Sequence, residues 1–498
     1  MKPQLPMFRN PRRWLLAGLS LLPFIIALFL LVGDELYWDE ACTLRKYIFK
    51  GFGEIVGSYS APNNHIFFNL TNLWFLDIFG SYEFDLWQYR FLPVAYSLLT
   101  LFFVYKSGRL FGEDAGWIAL GGISTALPFL AYAFRFRGYT LTFALAAIFL
   151  HSFLLFEREK KKIHLPVIAL ATALLIYTLP SNIVFPFLAG AYCLALWPKG
   201  FRFDFESPYF RIMLALLCGV ALAALLYLPA YDDIMARYVT GAETDFTPQT
   251  PFSGMGVTMD ALWSILSYRL LLLLPILFAL HGAREKRRQV LLLLLLTMGY
   301  PLFFPATGYG FATNRIYILS AIPLAILAAL SFRICLDHFR PKSAYAVTAA
   351  CLAYMTLTAL TGGYLEYHRF PRTQDNLAFP NYHFLNTDDI LAAMGKDIPY
   401  NGILAYESGD SYNQAWYARK YGKNFLWNES LNLYGRGAMV NVPEKEAFMQ
   451  TLLARSVKLF LLTETPEETI EKYRVAFPGS SPKLVYDDGG LHKVVLLR

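Results

Sequence analysis

Charged residues are scarce in this 498-residue sequence, and their scarcity excludes an ordinary water-soluble protein. Only 16% of the residues are charged and 56% are hydrophobic, whereas a soluble domain carries about 25% charged residues. The apolar residues form long blocks, which is typical of a chain that crosses a lipid bilayer. The net charge of +7 comes from short basic clusters between those blocks. That pattern predicts membrane topology rather than nucleic-acid binding.

Cysteine is scarce as well. The five cysteines show no CxxC or metal-like spacing, so the sequence supports neither a disulfide framework nor a zinc site. A cleavable signal peptide is not indicated either. The first apolar block, from Trp14 to Val32, is longer than a signal h-region, and no A-x-A-like site follows it. We therefore expect that block to be an uncleaved first membrane span.

The apolar blocks predict about eleven membrane-spanning helices, each near the roughly 20 residues that a bilayer requires. The predicted spans are 14–32, 91–108, 115–133, 139–156, 163–180, 183–197, 211–229, 261–281, 289–304, 315–334 and 343–361. The sixth and the ninth are short, which predicts a broken or tilted span at each. Lysine and arginine concentrate in every alternate connection, and basic connections mark the cytoplasmic side. The sequence therefore predicts a polytopic α-helical membrane protein with a cytoplasmic N-terminus and an extracytoplasmic C-terminus.

The chain is predicted to contain two domains. Residues 1–363 form a transmembrane domain whose long external loop covers residues 33–89, and residues 364–498 form a soluble extracytoplasmic α/β domain. In that tail, strand-like runs alternate with helical ones, which is typical of a small α/β sheet. The predicted strands are Gly402–Tyr406, Val457–Leu462, Lys483–Tyr486 and His492–Leu497, and the predicted helices are Tyr412–Tyr421, Glu444–Arg455 and Glu467–Ala476.

The first external loop opens with a cluster of four carboxylates. They lie within the seven residues Asp34–Glu40 (DELYWDE), directly after a span. Neighbouring carboxylates disfavour ionisation of one another, so a function or a counter-charge is expected to hold them; a solvated acidic collar is the simpler alternative. The same loop contains Asn64 and His65 in the run APNNH. A lone histidine is more often structural, but its place in this loop favours a functional role.

Arginines on the predicted outer side form a second group of candidates. A very short external connection carries two arginines, Arg135 and Arg137, and Tyr139 follows them. Positive charge there runs against the orientation rule. Arginine suits bidentate phosphate binding, and snorkelling of the side chain to lipid headgroups is the alternative. Arg315 and Tyr317 lie at the external start of the tenth span.

Arg269 is a different case because it falls inside the predicted span 261–281. An ionisable group within a span is costly and is a functional candidate by default, unless the helix starts later than residue 261. Carboxylates and several arginines on one membrane face fit chemistry with an anionic leaving group. A carboxylate can take a proton from an acceptor hydroxyl, and arginines can stabilise the charge left on a departing phosphate.

Taken in order, these motifs resemble the GT-C superfamily of glycosyltransferases that use polyprenyl-phosphate sugars. The branch most like this chain is that of the protein O-mannosyltransferases and lipid A aminoarabinose transferases. The matching elements are DE at 39–40, NH at 64–65 with Ile66 where proline is usual, FGSYEF at 79–84, RFLP at 90–93, RGY at 137–139 and, loosely, RIY at 315–317.

The resemblance implies a GT-C-like fold and an inverting transfer of a sugar to a lipid, glycan or protein acceptor on the extracytoplasmic face. Asp39 would be the general base or an acceptor-orienting carboxylate, with Glu40 beside it in the catalytic pair. The substrate-binding candidates are Asn64, His65, Arg137, Tyr139, Arg269, Arg315 and Tyr317, of which Arg269 rests on physical grounds only. The tail would help to select the acceptor.

The resemblance also bears on partners and location. The donor would be a polyprenyl-phosphate-linked sugar, membrane lipids would surround the chain, and no nucleic acid is expected. No cofactor or metal is required, although a divalent cation between carboxylates and phosphate is compatible with oxygen ligands. The predicted location is the bacterial inner (plasma) membrane, with several passes.

Two other functions are compatible with a multi-pass chain. A transporter or flippase of lipid-linked sugars would carry its key charges near the bilayer midplane, whereas most charges here lie at one outer edge. A non-catalytic scaffold whose tail binds a partner would leave the acidic cluster and the outward arginines unexplained. The motifs leave the identity of the sugar and of the acceptor open.

Overall fold

The computed structural model of the protein describes a helical bundle and a small sheet. The described residues are 11–31, 40, 43–44, 46–59, 64–79, 86–197, 206–238, 255–256, 259, 262, 266, 269–282, 286–306, 318–369, 403–406, 459–463, 466–476, 481–487 and 493–497.

Most of the described chain is α-helical. The helices are α1 (Pro11–Leu31), α2 (Phe52–Gly57), α3 (Ile66–Phe79), α4 (Leu86–Arg109), α5 (Glu113–Ser124), α6 (Leu127–Tyr132), α7 (Tyr139–Glu159), α8 (His164–Thr178), α9 (Val184–Ala195), α10 (Pro208–Leu226), α11 (Tyr231–Tyr238), α12 (Leu273–Gly282), α13 (Arg287–Leu294), α14 (Tyr300–Ala306), α15 (Ala321–Phe339), α16 (Ala344–Arg369) and α17 (Pro466–Ala476). Short 3₁₀ turns cover Ile48–Lys50, Pro180–Ile183, Leu228–Ala230 and Leu270–Leu272, and a π-helical turn covers Leu295–Gly299.

Six helices of the described chain are long and apolar enough to cross a membrane, namely those at Pro11–Leu30, Trp87–Arg109, Tyr139–Glu159, Pro208–Leu226, Ile318–Phe339 and Ala344–Gly362. Four shorter apolar helices accompany them, at Ile66–Phe79, His164–Thr178, Pro180–Ala195 and Leu270–His281. The prediction of an integral, multi-pass helical protein is confirmed. The total of eleven spans stays a prediction.

Two of the long helices form the interior of the bundle. In α7 and α15, 89% of the most apolar window is buried, against 28% in α1, α10 and α16. Around them, α5 packs against α1, α4 and α15, while α8 packs between α7 and α10. Small residues allow close approach at such contacts: a Cβ added at Gly219 of α10 would lie 2.5 Å from the Ala169 carbonyl oxygen of α8.

The predicted third span, 115–133, is two helices rather than one. Helix α5 ends at Ser124 and α6 begins at Leu127, with Pro128 in the first turn of α6. Proline has no N–H to donate to the carbonyl four residues earlier, so the ladder of hydrogen bonds is interrupted here. The last carbonyls of a helix need other donors, and the Thr125 hydroxyl donates to the Gly121 carbonyl at 2.6 Å.

The predicted eighth span, 261–281, is also interrupted, at Arg269. The backbone of Arg269 is not helical (φ −93°, ψ 47°), and the described helix that follows it starts at Leu270. Its guanidinium is buried and donates to the Gly122 carbonyl (2.5 Å), the Thr125 hydroxyl (2.8 Å) and the Leu266 carbonyl (3.0 Å). The cation therefore lies at the C-terminus of α5, where the helix dipole favours positive charge.

The predicted ninth span, 289–304, corresponds to α13, the π-helical turn and α14 in unbroken succession. The sequence predicts a short, broken or tilted span here, and the irregularity takes the form of one wider turn, as is frequent for π-helical segments inside α-helices.

The connections that the sequence assigns to one membrane side contact one another in the structure. On the basic side the contacts are Arg13–Glu113 (2.9 Å), Lys286–Asp337 (3.3 Å), Arg288–Tyr209 (3.2 Å) and Arg158–Leu110 carbonyl (2.9 Å). We call this the basic end of the bundle. At the other end, the Tyr59 N–H donates to Asp233 at 2.7 Å. Helix α7, with 21 residues, separates the two ends by about 30 Å. Which compartment each end faces stays a prediction.

The described part of the C-terminal tail contains a four-stranded sheet and α17. The strands are β1 (Ile403–Tyr406), β2 (Leu459–Thr463), β3 (Lys483–Asp487) and β4 (Lys493–Leu497), in the order β1-β2-β4-β3. β1 is parallel to β2, with Ile403 opposite Leu459, and β4 is antiparallel to both β2 and β3. All four predicted strands are confirmed within two residues, as is the predicted helix 467–476. The predicted helices 412–421 and 444–455 lie outside the described residues, and a separate domain over 364–498 stays a prediction.

Candidate functional site

The structure brings five of the predicted site residues to the end of the bundle opposite the basic end. These are Glu40, Asn64, His65, Arg137 and Tyr139, and all five are buried. Three further predicted residues, Asp39, Arg315 and Tyr317, lie outside the described residues. The proposals for them rest on sequence position alone.

The Glu40 carboxylate is fully buried and is held by several donors at once. It forms an ion pair with Arg90, whose Nη1 contacts Oε1 and whose Nη2 lies 3.2 Å from Oε2. Arg135 Nη1 lies 3.7 Å from Oε2, and the backbone N–H of Phe136 donates to Oε1. A buried charge is tolerated when it is paired and hydrogen-bonded, and Glu40 meets both conditions. The carboxylate therefore fixes the chain next to Asp39.

The connection between α6 and α7, residues 133–138, is tied to the first predicted external loop and to α4. Its Phe134 carbonyl accepts a hydrogen bond from Arg90 at 2.8 Å, and its Phe136 N–H donates to Glu40. At its end, the Gly138 N–H donates to Nδ1 of His65 at 2.8 Å. Three backbone groups of this short turn are thus satisfied by side chains from three separate segments, which gives the turn one defined conformation.

His65 is held in one tautomer by this contact. Because Nδ1 accepts the Gly138 N–H, Nδ1 carries no proton and a neutral ring has its proton on Nε2. The ring also packs edge-on against Tyr139, with centroids 5.2 Å apart. His65 therefore orders the start of α7.

Asn64 anchors the loop that carries His65. Its side-chain amide donates to the carbonyls of Ile55 (2.9 Å) and Ser58 (2.5 Å), and its Oδ1 accepts from Asn69 at 2.8 Å. Both N–H groups of the amide are therefore used within the chain, which favours a positioning role for Asn64 over direct contact with a substrate.

Arg137 links the two motifs that the sequence analysis treats separately. Its Nη1 donates to the Thr43 hydroxyl at 3.0 Å, and Thr43 follows the acidic motif by three residues. The guanidinium lies 5.9 Å from the centre of the Tyr139 ring, within the range of a cation–π contact. The Tyr139 ring in turn lies 4.8 Å from that of Tyr132. The side chain of Arg137 is thus fixed by neighbours on both sides.

Arg90 and Arg135 contact Glu40 but are absent from the list of predicted site residues. Arg90 opens the RFLP element and Arg135 opens the external connection, so both lie in motifs that the sequence does single out. The sequence does not show that Arg90 pairs with Glu40, since 50 residues separate them. With Arg137, the described cluster brings three buried guanidinium groups and one carboxylate together. Such a cluster provides the chemistry that binds phosphate.

Arg269 belongs to a different location. Its described hydrogen bonds go to Leu266, three residues before it in the chain, and to residues 122 and 125, which lie about ten residues before the connection 133–138. Its observed role is to stabilise the end of α5. Phosphate binding by Arg269 stays a prediction.

Metal binding is limited by what the described residues offer. Within that part of the chain, no three His, Cys, Asp or Glu side chains come together in the arrangement of a metal site. Three of the four carboxylates in the acidic motif, Asp34, Glu35 and Asp39, lie outside it.

Substitution of Gly138 by alanine is expected to disrupt the site. A Cβ at this position would lie 2.6 Å from both Cβ and Nδ1 of His65, so the ring must move and lose the 2.8 Å bond. We expect Gly138→Ala to lower the sugar-transfer activity that the motifs predict at least tenfold. Gly57→Ala is the matched control, because a Cβ there meets nothing within 4 Å. Equal activity of the two variants in a transfer assay would contradict the role assigned to His65.

Comparison with known proteins identifies the fold. No family model matches the chain, and no curated protein sequence matches it. The structure is similar to that of ArnT from Cupriavidus metallidurans bound to undecaprenyl phosphate, with a TM-score of 0.60, 15% identity and coverage of 98% of both chains. It is also similar to ArnT in the apo state, with a TM-score of 0.58, 15% identity and coverage of 97% of both chains.

A third similar structure is the oligosaccharyltransferase of Archaeoglobus fulgidus in the apo form. Its TM-score is 0.50 at 13% identity, and the match covers 98% of this chain and 74% of that one. The chain therefore has the fold of these GT-C membrane proteins, and the resemblance drawn from its motifs is confirmed at the level of the fold.

Proposed function

We propose that the protein is a membrane glycosyltransferase that transfers a sugar from a polyprenyl-phosphate donor to an acceptor. The observation that carries the proposal is the junction of the acidic motif with the 133–138 connection. Glu40 and Thr43 of the first segment contact Phe136 and Arg137 of the second. The residue before Glu40 is Asp39, so the proposed base adjoins this junction in the sequence.

Each group has a role in the proposed reaction. Asp39 accepts the proton of the acceptor hydroxyl as that oxygen attacks the anomeric carbon. The bond from that carbon to the phosphate oxygen breaks with inversion, and the polyprenyl phosphate leaves with both electrons of the bond. Arg137 binds the phosphate and stabilises the negative charge that develops on it. Arg315 assists it, Tyr139 orients Arg137, and Glu40, Asn64 and His65 hold the segments in place.

The fold adds support of a general kind. ArnT, whose structure is similar along nearly its whole length, binds undecaprenyl phosphate. We further propose that the site faces the extracytoplasmic side of a bacterial inner membrane. The acceptor would be a lipid, a glycan or a protein, selected with the help of the C-terminal tail.

The direct test is to incubate the purified protein in lipid nanodiscs with a panel of polyprenyl-phosphate sugars and a membrane extract. Mass spectrometry of the products then gives both the sugar and the acceptor. Parallel reactions with and without EDTA test whether turnover requires a divalent cation. We expect turnover to persist in EDTA, because guanidinium groups supply the positive charge. Absence of any sugar-bearing product across the panel would contradict the proposed function.

Variants of Arg137 test the phosphate assignment. Arg137→Gln should lower kcat/KM by about 10²–10³-fold, the usual effect of removing one donor to a developing anion. Arg137→Lys should recover only part of that loss, because lysine keeps the charge without the planar fork. Arg211→Gln, which removes a partly exposed arginine in an ion pair with Glu206, is the control and should retain activity. If the protein were a transporter, neither the wild type nor any variant would form a sugar-bearing product, and the substitution of Arg137 would reduce movement of the lipid-linked sugar across the membrane instead.

A further inference from the structure

A cavity of about 510 Å³ lies at the basic end of the bundle, far from the proposed catalytic cluster. It is formed by α1, α4 and α5, and we call it the α1–α4–α5 groove. Its volume falls in the range of about 300–1,000 Å³ typical of small-molecule sites. The cluster around Glu40 and the groove lie at opposite ends of the bundle, so the groove is not part of the proposed active site.

The lining of the groove is polar at one end and apolar along its length. Lys106 and Arg109 end α4, and Arg13 begins α1. One to two helical turns further into the bundle, the walls are aliphatic or aromatic, from Ala17 and Leu21 on α1 to Leu98 on α4. The distance from Arg13 to Leu21 is eight residues, or about 12 Å of helix. Half of the hydrocarbon core of a bilayer is about 15 Å, so the groove is about one leaflet deep.

The charge at the polar end favours an anion. Arg13 is paired with Glu113 through two contacts of 2.9 and 3.1 Å. Lys106 and Arg109 are both exposed at the rim, and Arg109 also lies 5.7 Å from the Tyr105 ring. The four ionisable residues that line the groove sum to a charge of +2, from three cations and one carboxylate. This positive charge would attract a phosphate group to the polar end of the groove.

A buried polar group in the wall of the groove is the second observation. Trp117 is only 4% exposed, it lines the groove, and its indole N–H has no acceptor within the described part of the chain. A buried indole N–H normally finds a hydrogen-bond partner. Trp117 lies one turn inward from Glu113, about 6 Å below the charged rim. An acceptor oxygen is therefore expected a few ångströms below the site of the phosphate.

We propose that the α1–α4–α5 groove binds an anionic glycerophospholipid. The phosphate lies against Lys106 and Arg109, an ester carbonyl accepts the Trp117 N–H, and one acyl chain follows the apolar walls. The ester carbonyls of such a lipid lie just below its phosphate, which matches the arrangement of the donors. A polyprenyl phosphate has no ester carbonyl, and its chain is longer than one leaflet. The observations thus favour the glycerophospholipid.

The test uses native mass spectrometry of the full-length protein in detergent, titrated with phosphatidylglycerol. We expect Lys106→Gln/Arg109→Gln to weaken binding at least tenfold, and phosphatidylcholine to bind the wild type at least tenfold less well. Lys162→Gln, at the same end but outside the groove, is the matched control and should bind normally. All the substituted side chains are exposed, so folding should be preserved. Equal binding of the two lipids, or no effect of the double substitution, would overturn the proposal.

A second arm tests the carbonyl contact. An ether-linked phosphatidylglycerol lacks the ester carbonyl and should bind the wild type about three- to tenfold less tightly, the effect of one hydrogen bond. The same exchange should have no effect in Trp117→Phe. A loss of equal size in that variant would contradict the assignment of the indole N–H. Polyprenyl phosphate added with the phospholipid should bind without displacing it, and displacement at equal concentration would make the carrier lipid the occupant instead.

Discussion

Replacing Asp39 by asparagine should abolish sugar transfer almost completely, with kcat reduced by about 10²–10⁴-fold, the contribution usual for a general base. The amide cannot take the proton of the acceptor hydroxyl, so the attacking oxygen stays a poor nucleophile. Asparagine has nearly the same shape, and Glu40, which holds this part of the chain, is left unchanged. The thermal unfolding midpoint should therefore stay the same while product formation, followed with the donor identified above, is lost.

The control for Asp39 is a carboxylate of the same loop. Glu54 forms a 3.6 Å pair with Lys50 at the surface, and such pairs contribute about 0–1 kcal/mol. Glu54→Gln should thus leave both stability and turnover unchanged. Unaltered turnover in Asp39→Asn, with normal folding, would remove Asp39 from the mechanism.

Replacing Glu40 by glutamine should destabilise the protein by about 3–5 kcal/mol, the cost of breaking a buried ion pair from one side. The substitution leaves the guanidinium of Arg90 buried at 1% exposure without its carboxylate partner. It also weakens the hydrogen bond from Phe136, so the 133–138 connection should loosen. Thermal unfolding in detergent should show the loss of stability, and turnover should fall even in the fraction that stays folded.

A double-mutant cycle separates the ion pair from the general effect of substitution. Arg90→Gln alone should also be strongly destabilising, whereas Glu40→Gln/Arg90→Gln should recover part of the loss, since neither charge is then left alone. The coupling energy between contacting residues is typically about 0.5–3 kcal/mol. A double variant whose loss equals the sum of the two single losses would mean that the pair does not stabilise the fold.

Helix positions were predictable from the sequence because long apolar runs are required wherever a chain crosses lipid. The interruptions were harder to predict. Pro23 and Pro93 lie inside continuous helices, whereas Pro128 lies at the break between α5 and α6. A proline in an apolar helix can be tolerated or can end it, depending on whether neighbours satisfy the freed backbone groups. Near Pro128 those neighbours include Arg269, which is more than 140 residues away in sequence.

The site was predictable in its parts but not in its connections. Arg137 stands out because it opposes the orientation rule, and the acidic motif stands out by its composition. The partners of Glu40 are determined by the packing of α4 and of the 133–138 connection, and no local pattern records which arginine meets which carboxylate. Sequence reasoning therefore found Glu40, His65 and Arg137, and it left Arg90 and Arg135 outside the candidate list.

The separation of Glu40 from its partners along the chain has a consequence for synthesis. Phe136 follows Glu40 by 96 residues, and a ribosome adding about 5–20 residues per second needs about 5–20 s to make that stretch. Until Arg90 is made, 50 residues after Glu40, the newly made carboxylate lacks all three of its partners, and for the rest of the interval it still lacks Arg135 and the Phe136 N–H. An unpaired charge is costly within lipid, so the nascent segment must wait in water at the membrane surface. Assembly of the catalytic centre is thus delayed until the start of α7 has emerged.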